Sequence, residues 1–160
     1  RKDKTDFGQI YLGAKCAFCF GSHCGYMALP QAFNRPVGIV NYVPLEDIPK
    51  WAKGLIIWKH HIKDGKKMSV NEIFESGFGV ATFGQAFAQA GITLEDNSTQ
   101  EIFEVAMEMA DRDEGKNVDE DQSKFWNAFP RSMANARPLH GDIRIRVGRE
   151  FLKGYSCESA

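Results

Sequence analysis

The first apolar stretch covers residues 9–20, QIYLGAKCAFCF, broken by one lysine and closed by Gly21-Ser22. Its length and aromatic content predict a short helix up to Gly13 and then a buried strand at 16–20. Gly21-Ser22-His23-Cys24-Gly25 reads as a turn. YMALPQAF has helical spacing, with Met27, Leu29 or Pro30, and Phe33 near one face. Pro30 makes that helix short or late, because proline is tolerated only in the first turn. Arg35-Pro36 ends it, and VGIV leading to Asn41 predicts a second buried strand. Strand, glycine-containing turn, helix and strand form a βαβ unit with parallel strands and a right-handed crossover.

YVPLEDIPKWAKG carries two prolines and reads as a loop with at most one helical turn. LIIWKHHI is a third strand-like run, and KDGKK an exposed turn. Ser69-x-x-Glu72 ahead of IFESG is a capping-box start with a glycine stop, hence a short helix. Thr82 to Gly91 predicts another, and ITLED a brief strand. Thr99 is read as the cap of the clearest helix, which runs to Arg112 with an apolar stripe of Ile102, Val105, Ala106 and Met109. DEGKNVDEDQ is acidic and solvated, and SKFWNAF continues as a helix presenting Phe125, Trp126 and Phe129. The tail HGDIRIRVGREFLKG carries two patterns. IRIRV alternates like a strand, while Ile143, Val147 and Phe151 keep helical spacing. Helix is favoured, because Phe151 and Leu152 extend that face and a late strand has no evident partner. No internal repeat or low-complexity segment occurs.

Length and charge narrow the classes. The 160 residues fit one domain, and 43% hydrophobic with 26% charged residues is a globular balance. A net charge of −1 lacks the basic field that a nucleic-acid partner needs. No apolar run approaches the roughly 20 residues of a membrane helix, so no transmembrane segment is expected. The chain opens Arg1-Lys2-Asp3-Lys4 without an initiator Met or an apolar leader, and is expected to be a piece of a longer protein. Cys16, Cys19, Cys24 and Cys157 do not form the framework of a small secreted fold, so reduced thiols in a cytoplasmic protein are expected.

Four constellations bear on chemistry. In FGSHCGYM, a turn that ends a parallel strand and opens a helix presents free backbone N–H groups and a positive dipole end to phosphate. Gly21 and Gly25 would let a diphosphate approach the backbone, with Ser22, His23 and Cys24 between them; a plain βα turn has the same pattern. Cys16-x-x-Cys19-x-x-x-His23-Cys24 offers four zinc ligands. Against zinc, a strand would turn Cys16 and Cys19 to opposite faces as buried free thiols. Trp58-Lys59-His60-His61 ends the third strand at the sheet edge where ligands of open α/β folds bind. Lys59 could neutralise phosphate there, or belong to a solvated basic loop with Lys63, Lys66 and Lys67. Glu72 could grip both hydroxyls of a ribose or merely cap its helix. His140 could be a base or a structural histidine. Trp51, Trp58 and Trp126 are assigned to the core, Trp51 at its margin. No Ser-His-Asp order, P-loop or paired-carboxylate motif stands out.

In order along the chain, DFGQIYLGAKCAFCFG, CGYMALPQAF, NRPVGIVNYVPL, PKWAKGLIIWKH, SVNEIFESGFG, AGITLEDNSTQEI, the acidic run before SKFWNAFP, and HGDIRIRVGREFL carry a family resemblance. The chain resembles bacterial glycosyltransferases associated with surface polysaccharide and motility. The resemblance spans essentially the whole chain and rests on the ordered set rather than one motif. It implies the C-terminal, Rossmann-like half of a two-domain glycosyltransferase-B fold, a parallel sheet flanked by helices. That half would bind a nucleoside-diphosphate sugar as substrate, with no tightly bound cofactor. The acceptor base would belong to an N-terminal acceptor domain, so this piece alone would not turn over. The family turn usually ends Gly-Ser-Gly; here His23-Cys24-Gly25 puts a thiol, the weaker donor, in the hydroxyl's place. The family asparagine after the second strand is Asn41, a candidate for base or ribose. The alternatives are a non-catalytic binding or scaffold module of the same fold, and a small zinc-binding domain.

Overall fold

The computed structural model describes residues 5–81, 84–111, 120–129 and 143–155. His140, Cys157, Thr82, Arg112 and most of the acidic run lie outside them. VGIV and LIIW form strands because a run apolar at every position can be buried on both faces of a parallel sheet. They are β2 (Val37–Tyr42) and β3 (Gly54–Trp58), and all but Asn41 and Gly54 are buried. With β1 (Cys19–Ser22) and β7 (Ile145–Val147) they make a four-stranded sheet in the order β1-β2-β3-β7, with every pair parallel. This is an α/β architecture with a parallel sheet flanked by helices, compatible with a Rossmann-like fold. The strands advance in one direction across the sheet, so the order reversal of a doubly wound fold is not among the described strands.

The N-terminal helix α1 (Asp6–Lys15) runs past Gly13 and starts at Thr5, whose side chain accepts from Gly8 N. Cys16 is therefore its C-cap rather than a strand residue, and the expected strand at 16–20 begins at Cys19. A 3-10 turn, Gly25–Met27, leads into α2 (Ala28–Ala32), which accepts Pro30 within its first turn. Met27 and Pro30 face inward as expected, whereas Phe33 is exposed.

LIIWKHHI does not form one strand. It breaks at Lys59, and the chain passes into a second sheet of β4 (His60–Lys63), β5 (Lys66–Lys67) and β6 (Ile92–Glu95), in which both pairs are antiparallel. Between β5 and β6 lie α3 (Val70–Glu75), with the expected Ser69–Glu72 capping box, and α4 (Gly84–Gln89). Then come α5 (Thr99–Ala110) and α6 (Glu120–Ala128). The cap of α5 is Ser98, not Thr99: Ser98 accepts from Glu101 N, and Glu101 reaches back to Ser98 N.

The tail overturns the helical expectation. Ile145–Val147 is a strand, and its partner is β3, some ninety residues earlier in the chain; α7 (Arg149–Lys153) begins only afterwards. Ile143 is exposed, outside any apolar stripe. On the outer side of β7, the buried Gln122 of α6 bonds both main-chain groups of one residue. It donates to Val147 O at 2.7 Å and accepts from Val147 N at 3.0 Å.

Helices cover both faces of the sheet. Gly148 fits tightly between Val105 of α5 and Ile57 of β3, and Gly38 of β2 lies against Phe20 and Met109. On the opposite face Trp58 stacks on Phe125 of α6 at 5.3 Å and meets Phe151 of α7 edge-on at 4.9 Å. Trp58 is fully buried as expected, but Trp126 is only half-buried and Trp51, expected at the core's margin, is exposed. No helix among the described residues is long and apolar enough to cross a membrane.

Candidate functional site at the C-terminal edge of the parallel sheet

Parallel strands end on one edge, so the residues after them collect there whatever their separation in sequence. At this edge β1 delivers Ser22, β2 Asn41 and Tyr42, and β3 Trp58 and then Lys59. The turn 23–25 does not swing away. The His23 ring meets Tyr42 edge-on at 5.3 Å, which holds the turn over the end of β2. Tyr42 is itself fixed by its hydroxyl, which donates to Asp47 O at 2.7 Å. Burial, and then the nearby Asp47 carboxylate, push the Tyr42 hydroxyl far above its usual range, so it stays protonated.

Gly21 and Ser22 belong to β1 rather than to the turn, leaving His23, Cys24 and Gly25 as the link. Ser22, His23, Cys24 and Gly25 are exposed, and a Cβ built on Gly25 meets no atom within 4 Å. The approach to this backbone is thus open. The helical segment behind it is short, one 3-10 turn and five α-helical residues, so its dipole is smaller than the sequence reading supposed.

Asn41 and Lys59 stand at the edge but are engaged by the start of α5. Asn41 has a left-handed backbone, φ 55°, at an irregularity between β2 and β3. Its N–H donates to Asn97 Oδ1 at 2.7 Å, and its Oδ1 accepts from Asn97 N at 2.6 Å. Asn97 also donates from Nδ2 to Trp58 O at 2.7 Å. Lys59 Nζ sits 2.6 Å from Asp96 Oδ1. The lysine is half-buried and the aspartate exposed, so water screens the pair in part and a ligand phosphate can compete for it. Asn97→Ala would strand Asn41 N and Trp58 O. A loss of about 2 kcal/mol in chemical denaturation is expected, and an unchanged midpoint would show that this bracket does not bind the strand ends.

Among the described residues no hydrogen bond or ion pair brings Glu72 to the edge group. It caps α3, accepting from Ser69 N at 2.7 Å, and that backbone bond together with the Ser69 hydroxyl lowers its pKa. Neighbouring His60 bridges two elements: its ring nitrogens lie 2.8 Å from the Tyr155 hydroxyl and 2.9 Å from the Glu101 carboxylate. Burial works to raise the Glu101 carboxyl, but hydrogen bonds from Ser98 N–H, His60 and the Ser98 hydroxyl outweigh it and hold it low.

Asp96, Asn97, Glu101 and Tyr155 are the edge residues that the sequence reading missed. Only Ser98-x-x-Glu101 left a local signature, a capping box that places the start of α5.

No family model, curated protein or solved structure matches the chain.

The cysteines differ from expectation. Cys16, Cys19 and Cys24 are free thiols, but Cys16 and Cys19 are half-buried and belong to different elements. Cys16 donates to Gly13 O at 3.4 Å as part of its cap. Burial, then the nearby Cys16 and Cys24 thiols, raise the Cys19 pKa. Among the described residues no group of three or more His, Cys, Asp or Glu is arranged to hold a metal ion.

Proposed function

We propose that this domain binds a nucleoside-diphosphate sugar at the C-terminal edge of its parallel sheet, as the donor-binding part of a glycosyltransferase. The observation that carries the reading is the turn 23–25, held over the end of β2 by the His23–Tyr42 contact with its backbone at Gly25 unobstructed. The diphosphate would lie on the N–H groups of that turn, with Lys59 turning from Asp96 to neutralise its charge. The nucleoside would extend toward Asn41. The chemistry contributed here is electrostatic stabilisation of the departing diphosphate, a transition-state role; the acceptor base would come from the rest of a longer enzyme. Charge disfavours the groove between α5 and α7, where Glu104, Glu108, Asp111 and Glu150 outnumber the one basic lining residue, Arg149.

A specific observation also favours a second reading, a non-catalytic scaffold. Three of the candidate side chains, Asn41, Lys59 and Glu72, already have partners within the protein. Calorimetric titration with nucleoside diphosphates and their sugars separates the two. Donor binding is expected, and Gly25→Val should weaken it at least about tenfold by blocking backbone approach. Because the added side chain enters open space, Gly25→Val should leave the melting temperature unchanged. Cys24→Ser should be neutral or tighten binding by up to about 1 kcal/mol. A wild type that binds no donor favours the scaffold, and equal binding by Gly25→Val moves the site elsewhere.

A further inference from the structure

Six of the eleven exposed large hydrophobics among the described residues, Phe7, Ile10, Tyr11, Leu12, Tyr26 and Phe33, lie within the first 33 positions. Phe7, Ile10 and Tyr11 are spaced i, i+3, i+4 and so share one face of α1, and the Phe7 and Tyr11 rings are 6.3 Å apart. Both are well out in solvent, Phe7 at 76% and Tyr11 at 54% exposure. The helix packs inward through Gly13, which lies against Leu29 of α2, so the Phe7 face points away from the core. Tyr26, also exposed, lies beside α1, and its hydroxyl donates to Gln9 O at 3.4 Å.

Charge identifies the occupant. No Asp or Glu occurs between Asp6 and Glu46, and the two charges in that interval are Lys15 and Arg35. Arg35 donates from Nε to Ala14 O at 2.7 Å and so sits at the same end of α1 as Lys15. Arg1, Lys2 and Lys4 precede the helix in the sequence. The first 35 residues carry five basic and two acidic residues, against fifteen and nineteen in the remainder. An apolar, partly aromatic helix face with basic residues at its margins is the composition that settles in the headgroup layer of an anionic bilayer.

We propose that α1 and the adjoining Tyr26 are a docking surface for an anionic lipid bilayer, with Phe7, Ile10 and Tyr11 immersed at the headgroup–acyl boundary. Lys15 and Arg35 then face the lipid phosphates. The proposal stands apart from donor binding, but it sets Gly25, next to Tyr26, close to the bilayer surface.

Sedimentation of the protein with vesicles tests it, comparing phosphatidylcholine alone with an equal mixture of phosphatidylcholine and phosphatidylglycerol. Wild type should partition onto the mixed vesicles and much more weakly onto neutral ones. Phe7→Ser combined with Tyr11→Ser should lower partitioning at least about tenfold, since each ring loses its apolar burial. Lys15→Glu should weaken binding to the mixed vesicles alone. Both positions of the double variant are exposed, so its melting temperature should hold and the comparison stays interpretable. Wild type that ignores the mixed vesicles, or a double variant that binds as well as wild type, overturns the proposal. So does a dimer in analytical ultracentrifugation that the double variant dissolves while vesicles bind neither protein; that face would then belong to a second copy.

Discussion

Gly54→Ala is expected to destabilise the fold by about 4 kcal/mol, combining backbone strain with overpacking against a neighbouring strand. Gly54 opens β3 with φ at 118°, a region that side chains rarely enter. Its pairing partner is Val37, and a Cβ there would strike the Val37 carbonyl oxygen and lie 2.8 Å from Val37 N. The obstruction is backbone, so no rotamer change relieves it. The strand must shift or separate from β2 at the centre of the sheet. Urea denaturation of wild type and variant measures the effect. A loss under about 1 kcal/mol, the level of an ordinary surface change, would mean that β2 and β3 do not pair in this register.

The second large effect is a loss of stability in mild acid that traces to His61. This ring is fully buried on β4, edge-on to Phe87 at 5.4 Å, and its Nδ1–H donates to Lys59 O at 3.0 Å. Its Nε2 has no partner among the described residues. Burial, assisted by neighbouring His60 and opposed by the Lys59 carbonyl, pushes its pKa down from 6.5 to about 4. Between those values the unfolded chain takes up a proton that the folded protein refuses, so folding weakens as pH falls. The stability is complete above pH 6.5 and fades down to about pH 4, a difference of roughly 3 kcal/mol. Denaturation at several pH values in that window should show the slope, and His61→Leu should flatten it. Equal slopes in the two proteins would mean that His61 is not held neutral in the interior.

The elements legible in the sequence are those whose cause is local. VGIV and LIIW are apolar at every position, and a doubly covered parallel strand is what buries such a run. Ser69-x-x-Glu72 writes the start of α3 into four residues. Cause at a distance was not legible. Nothing near IRIRV shows that one edge of β3 stands open to receive it, so the helical spacing of Ile143, Val147 and Phe151 prevailed. Lys59 gave no sign of ending a strand, because the break comes from a change of sheet whose other partner, β6, lies some thirty residues further on. The candidate site divides the same way. The presence of a turn after β1 can be read from its glycines, though not its bounds, since Gly21 and Ser22 stay in the strand. The asparagine bracket joins positions 56 apart, and either residue alone looks like an ordinary loop asparagine.

The amide of Gln122 has a consequence beyond holding α6 in place. An edge strand offers unpaired N–H and C=O groups to any extended chain that comes near, and such edges invite strand addition between molecules. At Val147 both groups are already taken by one side chain that imitates a neighbouring strand's peptide. An incoming strand would have to displace this buried amide before it could pair with Val147. Gln122→Leu would keep the bulk and lose both bonds, leaving that edge open to self-association even where the monomer still folds.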